Sequence, residues 1–229
     1  MSRAENRADI DHAQEGRRKE VTSGGHMAEF EGLLYDLLVD AGLPESAIYT
    51  GKSADLPGYY RPSKEWDLVV LQEGDPVAAI EFKSQTSSFG NNWNNRVEEV
   101  VGSATDFRTA MEKGVIDSPV RPWLGYVYLM DEQGTLEGDS ISATDAGMAD
   151  AFVGASYADR CEELCLRLLD NGIYDGASFL LSGEEAGLDG AYRTPHDRLK
   201  FERFAASLVG HVGQFLDEYG QRQAELGNY

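Results

Sequence analysis

The stretch that most constrains this chain is WDLVVLQEGDPVAAIEFK, residues 66–83. Two apolar runs flank Gln72-Glu73-Gly74-Asp75-Pro76, a segment rich in turn formers. Read at a period of two, residues 66–71 and 77–83 are the two strands of a hairpin. Leu68, Val70, Ala78, Ile80 and Phe82 then face a core. Asp67, Glu81 and Lys83 take the opposite parity within their strands, and pairing of the strands brings Asp67 beside the other two. Charged residues on strands this apolar need partners or a ligand.

An aspartate, a glutamate and a lysine so placed match what hydrolysis of a phosphodiester demands. The phosphate must be neutralised, a water activated and the leaving oxygen stabilised. Asp67, Glu81 and the main-chain carbonyl of Phe82 are oxygen donors suited to a hard cation such as Mg²⁺. Lys83 can orient or help deprotonate the water and balance developing charge. Spacing alone leaves a second reading open, a structural salt bridge between Glu81 and Lys83.

The rest of the chain supplies helices and further strands. Phe30, Leu33, Leu34, Leu37 and Leu38 recur at helical spacing and predict a helix over residues 27–41, stopped by Gly42 and Pro44. It carries Glu31 and Asp36, which read as surface acids, although a first-helix acid joins the metal site in some nucleases. A short strand is predicted at 48–50, a loop at 84–92, and a helix from a cap at Asn94 or Asn95 to about 112. WLGYVYLM, residues 123–130, reads as a buried strand. Residues 131–150 contain six acids and no Lys or Arg, and read as a solvated connection. Helices are predicted at 157–170 and 195–219, with an apolar run at 179–181 between them. Cys161 and Cys165 share a face of the first of these and read as core residues rather than ligands.

These elements make an α/β (α+β) protein with a mixed β-sheet and flanking helices. Residues 1–25 read as a flexible arm with one basic cluster, Arg17-Arg18-Lys19. Residues 26–229 read as a single domain, with a core at about 26–131 and a helical C-terminal part at about 151–229. No apolar stretch is long enough for a membrane span, and residues 1–20 lack the apolar core of a signal peptide, so a cytoplasmic protein is expected.

The net charge of −20 restricts the function more sharply, because nucleic-acid enzymes usually present a basic footprint. Forty acids face twenty basic residues, of which only six are lysines. Such a surface suits concentrated salt, where a Debye length of about 3 Å screens self-repulsion, and it points to a halophilic source.

The segments GYYRPSKEWDLVV, AAIEFKS, SFGNNWNNRVEEVVGSATD and GASYADRCEELCLRL make the assignment more specific. Together they resemble the XhoI-type type II restriction endonucleases of the PD-(D/E)XK nuclease superfamily. The resemblance covers most of residues 24–170, and FGNNWNNR is far more distinctive than the E-x-K element. Trp66 stands where the superfamily's name has proline. The resemblance implies a PD-(D/E)XK restriction-endonuclease-like core. It implies Asp67, Glu81 and Lys83 as the catalytic set with Mg²⁺, acting on double-stranded DNA at the palindrome CTCGAG. A palindrome is most simply read by a homodimer with one active site per strand. A cognate DNA methyltransferase would protect the host.

Within that frame Glu98 and Glu99 are either an extra ligand and water-positioning group or plain first-turn acids. Asn91, Asn92, Asn94, Asn95 and Arg96 carry the side chains that pair with adenine and guanine edges, or else form turns and caps. Arg61, Lys64, Arg198 and Lys200 are candidates for phosphate contact. Two other readings remain: a repair- or junction-directed nuclease with the same site, and a non-catalytic DNA-binding or acidic decoy protein.

Overall fold

The computed structural model describes residues 28–85, 89–118, 120–135, 149–183 and 192–226. The predicted arm at 1–25 and most of the acidic connection at 131–150 lie outside these residues.

The hairpin is the centre of a five-stranded sheet. Strand β4 (Leu68–Gln72) runs antiparallel to β5 (Asp75–Gln85), and β1 (Ile48–Thr50) pairs with the other edge of β4. Strands β6 (Trp123–Asp131) and β7 (Gly176–Ser182) follow β5 in parallel, so the sheet order is β1-β4-β5-β6-β7. A separate antiparallel ribbon is formed by β2 (Asp55–Pro57) and β3 (Ser63–Glu65). The α/β class with a mixed sheet and flanking helices is therefore the one the sequence predicts.

The five-residue loop predicted at the hairpin is a two-residue turn. Gln72 pairs with Asp75, and Glu73 and Gly74 both have positive φ, 53° and 99°. Two positive φ values are what a tight turn needs to match the right-handed twist of its strands. The register shifts beyond Val70, next to Pro76, whose nitrogen cannot donate to the ladder. The shift lies on the turn side of Glu81, so the pairing Leu68 to Ile80 keeps the expected parity at the far end.

Helices cover both faces. Helix α1 (Ala28–Asp40) and α4 (Phe201–Leu226) bury Leu34, Leu38, Phe204, Leu208, Val212 and Phe215 against Leu68, Val70, Ile80 and Phe82. Helix α2 (Phe89–Glu112) and α3 (Tyr157–Asp170) bury Val100, Ala104, Phe107, Cys161 and Leu164 against Val69, Ala79, Tyr126 and Tyr128. The alternating strand pattern is thus split between two cores. Cys161 and Cys165 are fully buried free thiols, and burial pushes both well above the usual thiol range, as core residues require.

Three further elements differ from expectation. Helix α2 begins at Phe89, so neither Asn94 nor Asn95 is its cap. Trp93, Val97, Val100 and Val101 form an apolar stripe on the core, and that packing outweighs the poor helix propensity of the asparagines. The predicted helix at 195–219 is a 3₁₀ turn, Asp197–Leu199, then an extended Lys200, then α4. Leu199 is buried and its carbonyl accepts from Ser178 Oγ at 3.0 Å, which fixes the break. The run at 179–181 belongs to β7, so the C-terminal part contributes a strand as well as helices.

Candidate active site

The site lies where β4 begins and β5 nears its end. Asp67 N donates to the Ile80 carbonyl at 3.2 Å, and Asp67 Oδ2 accepts from the Phe82 N–H at 2.6 Å. The aspartate is thereby laid across the strand that carries Glu81. Glu81 is 7% exposed and takes an ammonium on each oxygen. Lys83 bonds Oε1, and Lys64 Nζ sits 2.7 Å from Oε2. The structure therefore brings together Asp67, Glu81 and Lys83, as the parity of the hairpin predicts, and adds Lys64.

Two carboxylates so close, in so little water, repel each other. Burial raises the Asp67 carboxyl above its ordinary range and the charge of Glu81 raises it further. The Phe82 N–H, Lys83 and Lys64 pull the other way without cancelling the shift. Glu31, on α1, is pushed up to about 7 by burial and then by the charge of Asp67. An acid read from sequence as a surface group is thus half-buried at the edge of this field. The signal in the sequence was the mere position of an acid on the first helix, which alone says nothing about the direction it faces.

Lys64 is the residue that sequence reasoning placed elsewhere, as a phosphate contact. It sits on β3, and its side chain is only 12% exposed. Its ammonium also donates to the Glu65 carbonyl at 2.9 Å and lies 4.6 Å from the centroid of the Trp66 ring. Trp66 is buried against Phe107 and donates its N–H to the Ala54 carbonyl, so it ties the ribbon to the hairpin.

The ribbon is held from its tip as well. Asp106 of α2 accepts from the N–H groups of Tyr59 (2.8 Å) and Tyr60 (2.7 Å) and from Arg61 Nε (2.6 Å). Burial alone would raise the Asp106 carboxyl, but the Tyr60 N–H, Arg61 and the Tyr59 N–H together hold it below its ordinary value. Arg61 is therefore partly occupied by a structural pair, although 41% of its side chain is exposed. Gly58 is needed here, because a Cβ would come within 2.5 Å of Asp106 Oδ2.

The other candidates fall into two groups. Asn94 and Asn95 are exposed on α2, whereas Arg96 is half-buried and pairs with Glu99 at 2.9 Å. Asn91 and Asn92 belong to the same helix, but their side chains lie outside the described residues. The asparagines thus stand on helical turns rather than a loop. Glu98 and Glu99 are exposed in the third turn of α2, so the first-turn dipole argument does not apply to them. Arg198 and Lys200 pair with Asp170 and Asp197 at 2.6 and 2.7 Å. They border Leu199, which packs by β7, two strands from Glu81.

Among the described residues no three His, Cys, Asp or Glu side chains form a ready-made metal cluster. The candidate donors read from sequence are Asp67, Glu81 and the Phe82 carbonyl, and the structure places the two carboxylates in one electrostatic site. Its chemistry fits a hard cation. Both side chains offer oxygen, and a divalent cation would offset both causes that lift Asp67, burial first and the charge of Glu81 second.

The family model described as restriction endonuclease XhoI matches residues 6–194. The chain is 37% identical over 205 residues to the type II restriction enzyme BstVI of Geobacillus stearothermophilus, covering 86% of this chain and 91% of that one. It is 36% identical to the type II restriction enzyme XhoI of Xanthomonas vasicola, covering 72% and 68%. It is 43% identical over 109 residues to the type II restriction enzyme AbrI of Azospirillum brasilense, covering 47% and 49%. No solved structure matches it. The chain belongs to the XhoI restriction endonuclease family.

Proposed function

We propose that this protein is a type II restriction endonuclease of the PD-(D/E)XK superfamily, hydrolysing double-stranded DNA with Mg²⁺ at the palindrome CTCGAG. Membership of the family supports site-specific DNA cleavage. The observation that carries the chemistry is Glu81, buried beside Asp67 with a lysine on each oxygen.

Asp67, Glu81 and the Phe82 carbonyl would hold Mg²⁺, which would supply charge neutralisation for the phosphate and lower the pKa of a nearby water. The Phe82 N–H fixes Asp67 so that its remaining oxygen is oriented as a donor. Lys83 pairs with Glu81 while a quarter of its side chain remains exposed. There it can orient the attacking water and balance charge developing on the phosphate. Asn94 and Asn95 present amides for adenine edges, and Arg61 presents the exposed part of its guanidinium to the backbone. A two-fold dimer would place one such site on each strand of the palindrome, and a methyltransferase would shield host sites.

The test is digestion of a plasmid carrying one CTCGAG site, with Mg²⁺ and with chelator, using Glu81→Ala as control. Discrete ends at that site, lost in the variant and in chelator, are expected. Scattered cuts would replace this reading with a nuclease of another kind, and no cutting by the parent enzyme would remove it.

A further inference from the structure

We propose that Lys64 is a placeholder for the metal, a positioning residue that holds Glu81 Oε2 until a divalent cation takes that oxygen. The inference rests on the metal-dependent reading above. It concerns how the site is kept and opened, not whether it is catalytic.

Both oxygens of Glu81 are occupied by ammonium groups from different elements. Lys83 lies two residues away on the same strand, within the sheet. Lys64 arrives from the ribbon, outside the sheet. A divalent cation bound by Asp67 and Glu81 cannot share a carboxylate oxygen with an ammonium at 2.7 Å without strong repulsion. One lysine then gives way, and Lys64 is the one with further protein groups already beside it. Its ammonium already touches the Glu65 carbonyl at 2.9 Å and the face of Trp66 at 4.6 Å. Released from Glu81, it stays solvated by these groups at the mouth of the site, free to meet a phosphate oxygen. The ribbon makes this a fixed device rather than a chance surface pair. Asp106 pins its tip and Trp66 its base, so the position of Lys64 is imposed by the fold.

Occupancy of Oε2 by Lys64 lowers the apparent affinity for metal by the fraction of time the oxygen is free. The experiment measures Ca²⁺ and Mn²⁺ binding to the full chain without DNA, by calorimetry, for the parent, Lys64→Met and Lys64→Arg. Circular dichroism confirms the fold of each. Lys64→Met should bind metal about fivefold or more tightly, the scale of an ordinary coupling between two ligands. Lys64→Arg separates a placeholder from a general charge effect. Its guanidinium can grip a carboxylate with two hydrogen bonds, so metal binding should be weaker than in the parent although the charge is unchanged. Tryptophan fluorescence gives a second readout. Metal should perturb it in the parent as the ammonium shifts from Glu81 onto the Glu65 carbonyl and the face of Trp66, and Lys64→Met should lose most of that change. A parent that binds metal and cuts DNA, with affinities unchanged in both variants, overturns the role of Lys64 alone. So does a Lys64→Arg affinity equal to the parent's beside a tighter Lys64→Met. A parent that neither binds metal nor cuts overturns the nuclease reading on which it stands.

Discussion

Asp67 carries an unfavourable charge first because it is buried and then because Glu81 stands beside it, and the second cause can be isolated by changing one group. In Glu81→Gln the neighbouring charge is gone while the shape remains. The Asp67 carboxyl should then titrate lower than in the parent, though still raised by burial, the larger cause. Carboxyl-labelled NMR titration in chelator would show it, and an unmoved Asp67 would mean the two acids do not interact. Cleavage by the same variant should fall by about a thousandfold or more, on the scale of removing a group that stabilises transition-state charge. Glu31 gives the second prediction at this scale. Its folded-state value of about 7 lies above the ordinary 4.5, so between these values the folded chain holds more protons than the unfolded one. Stability must therefore fall as pH rises through that window and level off above it. Glu31→Gln should remove that part of the slope and be more stable than the parent at about pH 8, by on the order of 1 kcal/mol, since solvent screens a group this open. Urea unfolding in metal-free buffer checks it; parallel curves for the two proteins would refute the burial of Glu31.

The ribbon and the β6–β7 pair show how elements, rather than single groups, place the chemistry. Asp106 satisfies three donors of a segment some 45 residues away in the chain, and Ser103 accepts a longer bond from Arg61 beside it. Asp106→Ala should cost about 3 kcal/mol, since hydrogen bonds to a buried charge are lost and their donors left unpaired. It should also slow cleavage, because Lys64 and Trp66 depend on the ribbon's path. Amide exchange at Tyr59 and Tyr60 would report the loosening, and protected amides in the variant would contradict it. The β6–β7 pair is constrained by space. Gly125 and Gly176 are cross-strand partners under the Trp123 ring, and a Cβ on Gly176 would lie 2.3 Å from it. Gly176→Ala should destabilise the fold by about 2 kcal/mol, through forced movement of Trp123 against Phe204. A denaturant midpoint equal to the parent's would show that the ring moves freely.

At the scale of the whole molecule, the acidity and the substrate stand in tension. A chain of net charge −20 must approach a polyanion, and phosphate contacts weaken further as salt rises. Several basic residues are also committed to carboxylates of the protein itself: Arg61, Lys64, Arg198 and Lys200 all have acidic partners. Recognition is then expected to lean on base edges and shape. If the surface is an adaptation to concentrated salt, stability and cleavage should both rise with KCl toward the molar range, where the Debye length is about 3 Å. Thermal denaturation and plasmid digestion across a KCl series would show this, and best performance of both at low salt would exclude it.

The sequence by itself determined the parity of the hairpin, and with it the pairing of Asp67, Glu81 and Lys83. Period two is a local rule, and the register shift near Pro76 falls where it leaves those residues undisturbed. It also determined the apolar face carried by Leu68, Val70, Ala78, Ile80 and Phe82, and the core placement of the cysteines, while the second apolar face with Val69 and Ala79 came only from the fold. It could not determine where Lys64, Asp106 and Glu31 point. Each is a charged residue on an element whose orientation depends on packing against a distant one: the ribbon against α2, and α1 against the sheet. It likewise extended the asparagine loop too far, because the stripe from Trp93 to Val101 gains its stability only when it meets the core. Charge and turn chemistry are readable along the chain. Which charges meet is decided by burial, since only in the folded interior do a few ångströms between carboxylates and ammoniums become a strong interaction.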